Sequence, residues 1–341
     1  MAGSGARSSA KPAERMRRRQ RLAASFVIVT VIFAAAGCVR GGPAQETTTD
    51  ELTTQGARDA ALFEVATSHP DYWRLFTLDR VDGSTWMPPA SEGVALSTPA
   101  TLPGSPTSDR YPASASTSHT FRILSDFDVV AALPIAPTAS ELDGPVGSIS
   151  WDQLNTRVIV DGGASEGMEY TVRSASIVPT PEELDRTSAA SSDGRWTELP
   201  ADLNPRFARM AEQWTAGAAS DYRKVLAIQE RFQLGDFAYS TYVLPTDGPG
   251  ELLEFLTRSK VGFCEHYSSA MAVLVRSLGI PARIAAGFRV GTLQDDGSYL
   301  VQESDAHVWV EVRFAGYGWL PFEPEHGATH PYAREGTYLN P

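Results

Sequence analysis

The chain has 341 residues, of which 42% are hydrophobic and 21% charged, a globular composition long enough for about two domains. Its net charge of −12 argues against a nucleic-acid partner, because phosphate binding needs a basic surface.

Residues 1–21 run against that acidic balance. Arg7, Lys11, Arg15, Arg17, Arg18, Arg19 and Arg21 are opposed only by Glu14. This basic region leads into "LAASFVIVTVIFAAAGCV", residues 22–39, which carries no charge. A basic flank before an apolar run reads as a secretory signal or signal anchor, with the positive side left in the cytoplasm. The run ends in Ala35-Ala36-Gly37-Cys38, similar to a bacterial lipoprotein cleavage site with Cys38 as the lipidated residue. Lipidated Cys38 and an uncleaved transmembrane anchor both stay open, and either places the rest of the chain outside the cytoplasm. The chain has two cysteines, so a membrane-bound Cys38 leaves Cys264 without an intrachain disulfide partner. A lone thiol in an oxidising compartment points to a chemical role.

Residues 40–58 are polar and read as a linker. Residues 59–183 read as a β-rich extracytoplasmic domain. Leu62 to Trp86 is rich in aromatic and β-branched residues, with Asp82-Gly83 as a hairpin turn. Strand-like pieces follow at Thr120 to Leu124, Val129 to Leu133, Arg157 to Val160 and Tyr170 to Ser174. Residues 184–204 form a second linker. A domain over 205–330 opens with two helical patterns, "RFARMAEQWTAG" and "DYRKVLAIQERFQ"; in the second, Tyr222, Val225, Leu226, Gln229 and Phe232 share a face. A strand from Phe237 to Leu244 and a helix from Glu251 to Thr257 come next, and residues 331–341 are a tail.

The chemistry concentrates in "GFCEHYSSAMAVLVRSLGIPARIAAGF", residues 262–288. Ala270, Val273, Leu274 and Leu278 recur at helical intervals, and Gly279 and Pro281 stop the helix. Cys264 then falls at the first turn, where backbone N–H groups and the positive end of the dipole favour a thiolate. The same N–H groups can hold an oxyanion. Taken alone, a cysteine is more often an inert buried residue than a nucleophile.

A nucleophilic cysteine needs a base, and the base an orienting partner. In "SDAHVWVEVRFAGYGWLPFEPE", residues 304–325, Ala306, Val308, Val310 and Val312 alternate with His307, Trp309, Glu311 and Arg313. This predicts a half-buried strand with His307 on the face away from the valines. Gly316-Tyr317-Gly318 turns the chain, and a turn centred on Gly316 sets Glu323 opposite Trp309 and diagonal to His307. Asp305 is an alternative orienting acid. Tyr239 is a candidate for oxyanion support, His266 for lining the cleft, and Trp309 and Trp319 for packing the hairpin or walling the cleft. Cys264, His266, His307 and Glu323 also make a candidate zinc set, though neither CxxC nor HExxH spacing supports it. No cofactor is expected. The sequence has no nucleotide-binding glycine pattern, and no G-x-S-x-G elbow of a serine hydrolase.

These two stretches resemble the transglutaminase-like core, in particular its membrane-associated bacterial branch, described as protein-glutamine gamma-glutamyltransferases. "HPDYWRLFTLDRVDGSTW", residues 69–86, resembles the extracytoplasmic segment preceding the core in that branch. The resemblance implies an α+β fold in which a cysteine-bearing helix packs on an antiparallel sheet, with a papain-like triad of Cys264, His307 and Glu323. The family's acid is most often Asp in a DPT motif, and here it is Glu323 in "FEPE". Members usually carry several membrane helices before this region, so a short variant or a truncated reading frame is expected. The implied activity is acyl transfer on protein or peptide amides through a thioester, with cell-wall-associated peptide as a substrate inferred from location. The alternatives are a cysteine peptidase or amidase, and a catalytically silent binding module at the cell surface.

Overall fold

The computed structural model describes residues 60–339, apart from 83–84, 92, 105–115, 128–130, 145, 176, 190–192, 242–249, 329 and 332–336. The apolar run at 22–39 and Cys38 lie outside the described residues. Among those described, no helix is long and apolar enough to cross a membrane.

Nine strands and three helices position the site. In chain order the strands are β1 (Ala61–Ala66), β2 (Trp73–Leu78), β3 (Ser116–Ile123), β4 (Ala139–Asp143), β5 (Glu169–Ala175), β6 (Ala282–Phe288), β7 (Ser298–Gln302), β8 (Ala306–Phe314) and β9 (Gly318–Phe322). The helices are α1 (Arg206–Trp214), α2 (Asp221–Gln233) and α3 (Cys264–Ser277). The architecture is mixed α+β.

β3 shows why a sequence of this kind makes a strand. Thr117, His119, Phe121 and Ile123 are buried and alternate with exposed Ser116, Ser118, Thr120 and Arg122, one face dry and the other wet. β3 lies in a seven-stranded sheet that runs Thr292–Leu293, β7, β1, β3, β5, β4 and Ala100–Thr101. A four-stranded sheet in the order β9, β8, β6, β2 carries the chemistry, and a second four-stranded sheet holds Val94–Leu96, Ile149–Asp152, Arg157–Val160 and Ala132–Leu133.

The expected linker at 184–204 is crossed by sheet pairing in both directions. β2, from the N-terminal region, is hydrogen-bonded to β6 beside the site. β7, from the C-terminal region, pairs with β1 in the large sheet. The hairpin expected over Leu62 to Trp86 is correspondingly smaller: β1 and β2 go to different sheets, and among the described residues of that stretch Arg80–Asp82 and Thr85–Met87 pair with each other, while Gly83 of the expected turn lies outside the described residues. Polar side chains tie the two regions further. Arg276 of α3 donates to the carbonyls of Asp79, Glu198 and Ala282, with its guanidinium 4.7 Å from the Trp86 ring centroid.

α2 buries Tyr222, Val225, Leu226, Gln229 and Phe232, the face expected from its spacing. α3 is buried along most of its length, and Gly279 just beyond it has φ +74°, a left-handed conformation that glycine, having no Cβ, adopts without strain. β6 is buried throughout: strands flank both of its edges and α3 packs against it. Within it Gly287 pairs with His307 on β8 and Arg74 on β2. A Cβ there would come to 2.0 Å from the Trp73 carbonyl oxygen, so a glycine lets the three strands close around the histidine.

β8 departs from the half-buried strand that its alternation predicts, since His307 through Val312 are all buried. Val308, Val310 and Val312 enter the main core, whereas Trp309 on the opposite face packs with Tyr72 and Ala285. Tyr72, which lies far away in sequence, covers the face that alternation leaves to solvent.

Candidate active site

Cys264 is the first residue of α3 and is 1% exposed. Its sulfur lies within 4.8 Å of a ring nitrogen of His307 and of a carboxylate oxygen of Glu325. The sulfur is therefore buried against an imidazole and a carboxylate, and among the described residues it forms no disulfide.

His307 is fully buried near the start of β8. Its Nε2 is 2.5 Å from Glu323 Oε2. The hairpin register explains this contact: Phe314 lies opposite Gly318 and Val310 opposite Phe322, so the next positions along the ladder are Trp309 and Glu323. On the other side of the ring, the Arg289 guanidinium is 3.2 Å from Nδ1. Arginine can only donate, so Nδ1 is the acceptor and Nε2 carries the proton given to Glu323. That tautomer leaves a basic nitrogen on the side away from Glu323, as a thiol partner requires.

Glu323 is held by five hydrogen bonds. Its carboxylate accepts from His307, from the Tyr72 hydroxyl at 3.0 Å and from the Glu325 backbone N–H at 3.0 Å. Its own N–H donates to Gln229 and its carbonyl accepts from Gln233, both on α2. Burial by itself would raise the carboxyl's pKa, but His307, through its charge when the ring is protonated and through its hydrogen bond, with Arg289 beyond, holds it below the ordinary range.

Three residues complete the shell without having been singled out as site candidates from the sequence. Tyr72 stands edge-on to His307 with ring centroids 5.4 Å apart, and burial and the Glu323 charge raise its pKa well above the usual value. Arg289, just beyond β6, bonds Glu325 Oε1 at 2.6 Å as well as His307. Glu325 places its second oxygen, Oε2, 3.6 Å from His307 Nδ1. Burial raises the Glu325 pKa, partly offset by His307 and Arg289. His330 lies behind Tyr72, its ring 4.4 Å away, with its pKa lowered to about 3 by burial.

The other candidates have different positions. Asp305 does not orient His307: it sits in the turn Glu303–Asp305 before β8, and its carboxylate accepts the Gln302 N–H at 2.8 Å. His266 is not grouped with the sulfur either. Its Nδ1 is 3.5 Å from the Phe263 N–H and its Nε2 3.5 Å from Glu251, so it closes the start of α3. The atoms placed to hold a metal come from Cys264, His307 and Glu325, and the set that includes His266 is not assembled. Trp309 is fully buried and stacks behind His307 at 6.4 Å, so it supports the ring instead of walling a cleft. Trp319 packs on Trp196 and lies under Arg283. Tyr239, 37% exposed, lines an open cleft of about 310 Å³ with Tyr72, Arg289, Glu325, His326, Gly327 and Ala328. The cleft thus reaches the Arg289–Glu325 pair, the two side chains that contact Nδ1 of His307.

Tyr72 lies 251 residues from Glu323, so the N-terminal region supplies part of the site. Exchanging Tyr72 for Phe removes one hydrogen bond to a charged acceptor, worth about 1.5 kcal/mol. The expected result is a roughly tenfold lower kcat with little change in KM, read by steady-state kinetics on the folded variant.

Comparison with known proteins agrees with this geometry. Residues 208–324 match the Transglutaminase-like superfamily, and residues 42–181 match the TgpA N-terminal domain. The chain is 32% identical over 282 residues to a protein-glutamine gamma-glutamyltransferase of Pseudomonas aeruginosa, covering 79% of this chain and 38% of that protein. It is 34% identical over 175 residues to Uncharacterized protein YebA of Bacillus subtilis, covering 48% and 24%. The chain therefore spans well under half the length of these curated relatives. Among solved structures, the periplasmic domain of TgpA from Pseudomonas aeruginosa bound to ethylmercury superposes with a TM-score of 0.58 at 25% identity, over 83% of this chain and 96% of that one. A cysteine at a helix start, a histidine on the adjoining sheet and an acid on the next strand thus lie inside a domain of the transglutaminase-like superfamily, which this chain carries together with a TgpA-type N-terminal domain.

Proposed function

We propose that this chain is a cysteine acyltransferase of the transglutaminase type, exported and membrane-anchored, acting on protein or peptide amides through a Cys264 thioester. The observation that carries the reading is the relay from sulfur to imidazole to carboxylate, with Cys264 within 4.8 Å of His307 and Glu323 2.5 Å from Nε2. In the first half-reaction His307 Nδ1 takes the thiol proton and the sulfur attacks the amide carbonyl. The C–S bond forms, the C–N bond breaks, and the departing amine receives the proton from Nδ1. An acceptor amine then attacks the thioester and its proton passes through His307 to restore the thiol. Glu323 holds the ring and balances its charge while the imidazolium exists. Because Cys264 opens α3, backbone N–H groups of that first turn are available as donors for the developing oxyanion.

The basic region before residues 22–39 supports export, with attachment through lipidated Cys38 or a single N-terminal helix. The match to a relative's periplasmic domain supports an extracytoplasmic site of action. A cell-wall-associated protein or peptide is the corresponding substrate class.

The test is incubation of the full chain with a glutamine donor peptide, with and without a primary amine. Incorporation of the amine is the expected result. Conversion of glutamine to glutamate even with amine in excess would make the chain an amidase or peptidase with the same triad. A folded protein that forms no acyl-enzyme on any peptide would overturn the reading.

A further inference from the structure

The polar shell around Cys264 contains an oxygen with no role in the relay. Glu325 has its side chain 8% exposed, and its Oε2 is buried without a hydrogen-bond partner while Oε1 is taken by Arg289. A buried carboxylate oxygen left in this state is unfavourable unless something binds it. It faces Nδ1 of His307 at 3.6 Å, and the Cys264 sulfur lies within 4.8 Å of the group.

We propose that Cys264 Sγ, His307 Nδ1 and Glu325 Oε2 form a binding site for a thiophilic divalent cation, zinc being the ion that fits, and that its occupancy silences the thiol. A thiolate, an imidazole and one carboxylate are a zinc donor set, whereas magnesium and calcium take oxygen ligands. Tetrahedral zinc with bonds of about 2.0–2.3 Å holds its ligand atoms roughly 3.4–3.6 Å apart. The Nδ1–Oε2 separation already has that value, so only the sulfur has to approach. The surroundings match as well. A zinc-bound histidine characteristically donates its other N–H to a carboxylate, which His307 does toward Glu323. Arg289 gives up only its 3.2 Å contact with Nδ1 and keeps its bond to Oε1. On binding, the thiol proton leaves to solvent and the fourth zinc position stays open to water.

The experiment titrates zinc chloride into the full chain by calorimetry and, in parallel, follows alkylation of Cys264 by iodoacetamide. One equivalent of zinc should bind, slow alkylation at least about tenfold, and be reversed by EDTA, with magnesium inert. Glu325→Gln should weaken binding by at least about tenfold and Cys264→Ser should abolish it, with thermal melts of both variants showing that they fold. Zinc that fails to bind stoichiometrically, that leaves alkylation unchanged, or that binds both variants like the parent chain would overturn the proposal. Neither readout uses a donor substrate, so failure here leaves the acyl-transfer reading standing, and absence of acyl transfer leaves the zinc site standing.

Discussion

On the proposed mechanism, exchanging His307 for Gln should lower the turnover of acyl transfer by about 10²- to 10⁴-fold, the range expected when a positioned general base is lost. Glutamine keeps a polar group of similar reach but cannot take the thiol proton, so the sulfur loses its partner while the buried volume changes little. The Glu323 carboxylate also loses the His307 ring that opposes the effect of its burial, and its pKa rises from its depressed position. The loss should fall on kcat and kcat/KM together, because no ground-state contact with substrate is removed. Single-turnover formation of the acyl-enzyme, followed by mass spectrometry of the intact chain, checks the assignment. A variant that forms the thioester within tenfold of the parent rate would show that another group serves as base.

The largest expected effect on stability lies on the same strand, away from the sulfur. Glu311 is 1% exposed and sits between two buried arginines, accepting from Arg74 at 2.9 Å and from Arg283 at 2.8 Å. Arg74 belongs to β2 and Arg283 to β6, so the trio fastens the N-terminal region to the sheet that carries His307. Changing Glu311 to Ala leaves two buried guanidinium groups without their counter-charge, at a cost of about 3–5 kcal/mol. For a chain of this size that is a drop in Tm on the order of 10 °C, measurable by calorimetry. The pH dependence follows from the direction of the shift. Burial tends to raise the Glu311 pKa, but Arg283 and Arg74 outweigh it and depress it below the ordinary carboxylate value. The stabilisation is then complete above the unfolded-state pKa of about 4.3 and is lost as pH falls through the depressed folded-state value. Urea midpoints for parent and variant should therefore converge in acid. Midpoints that stay equally far apart at every pH would show that the loss comes from packing alone.

How far the sequence could be read follows from where each signal resides. Cys264, His307 and Glu323 belong to segments with strong local periodicity: a helix closed by Gly279, an alternating strand and a turn centred on Gly316. Local rules place such residues within a few ångströms once one long-range packing is granted. Tyr72, Arg289 and Glu325 lacked this advantage. Tyr72 reaches the site because β2 crosses into the other sheet, a pairing that no nearby pattern encodes. Arg289 directly follows a strand buried on both faces, where a charged residue stands out and was the one available clue. Glu325 was visible beside Glu323 in "FEPE", but alternation alone did not tell which of its neighbours it would meet. Asp305 was misplaced for the opposite reason. Two-residue spacing put it on the face of His307, but the chain turns at Glu303–Asp305 and spends that carboxylate on the Gln302 N–H. Gly287 marks the same gap, since its need for the space beside the Trp73 carbonyl arises only once three strands are assembled.

The nucleophile can be examined without any substrate. The rate of Cys264 alkylation by iodoacetamide, followed from acid to alkaline pH in the parent chain and in His307→Gln, reads the coupling of sulfur to imidazole directly. In the parent, alkylation should persist well below pH 8.5, about where an ordinary thiol titrates, and the variant should regain an ordinary thiol profile. Two superimposable curves, or a sulfur inert at every pH, would contradict the pairing of Cys264 with His307.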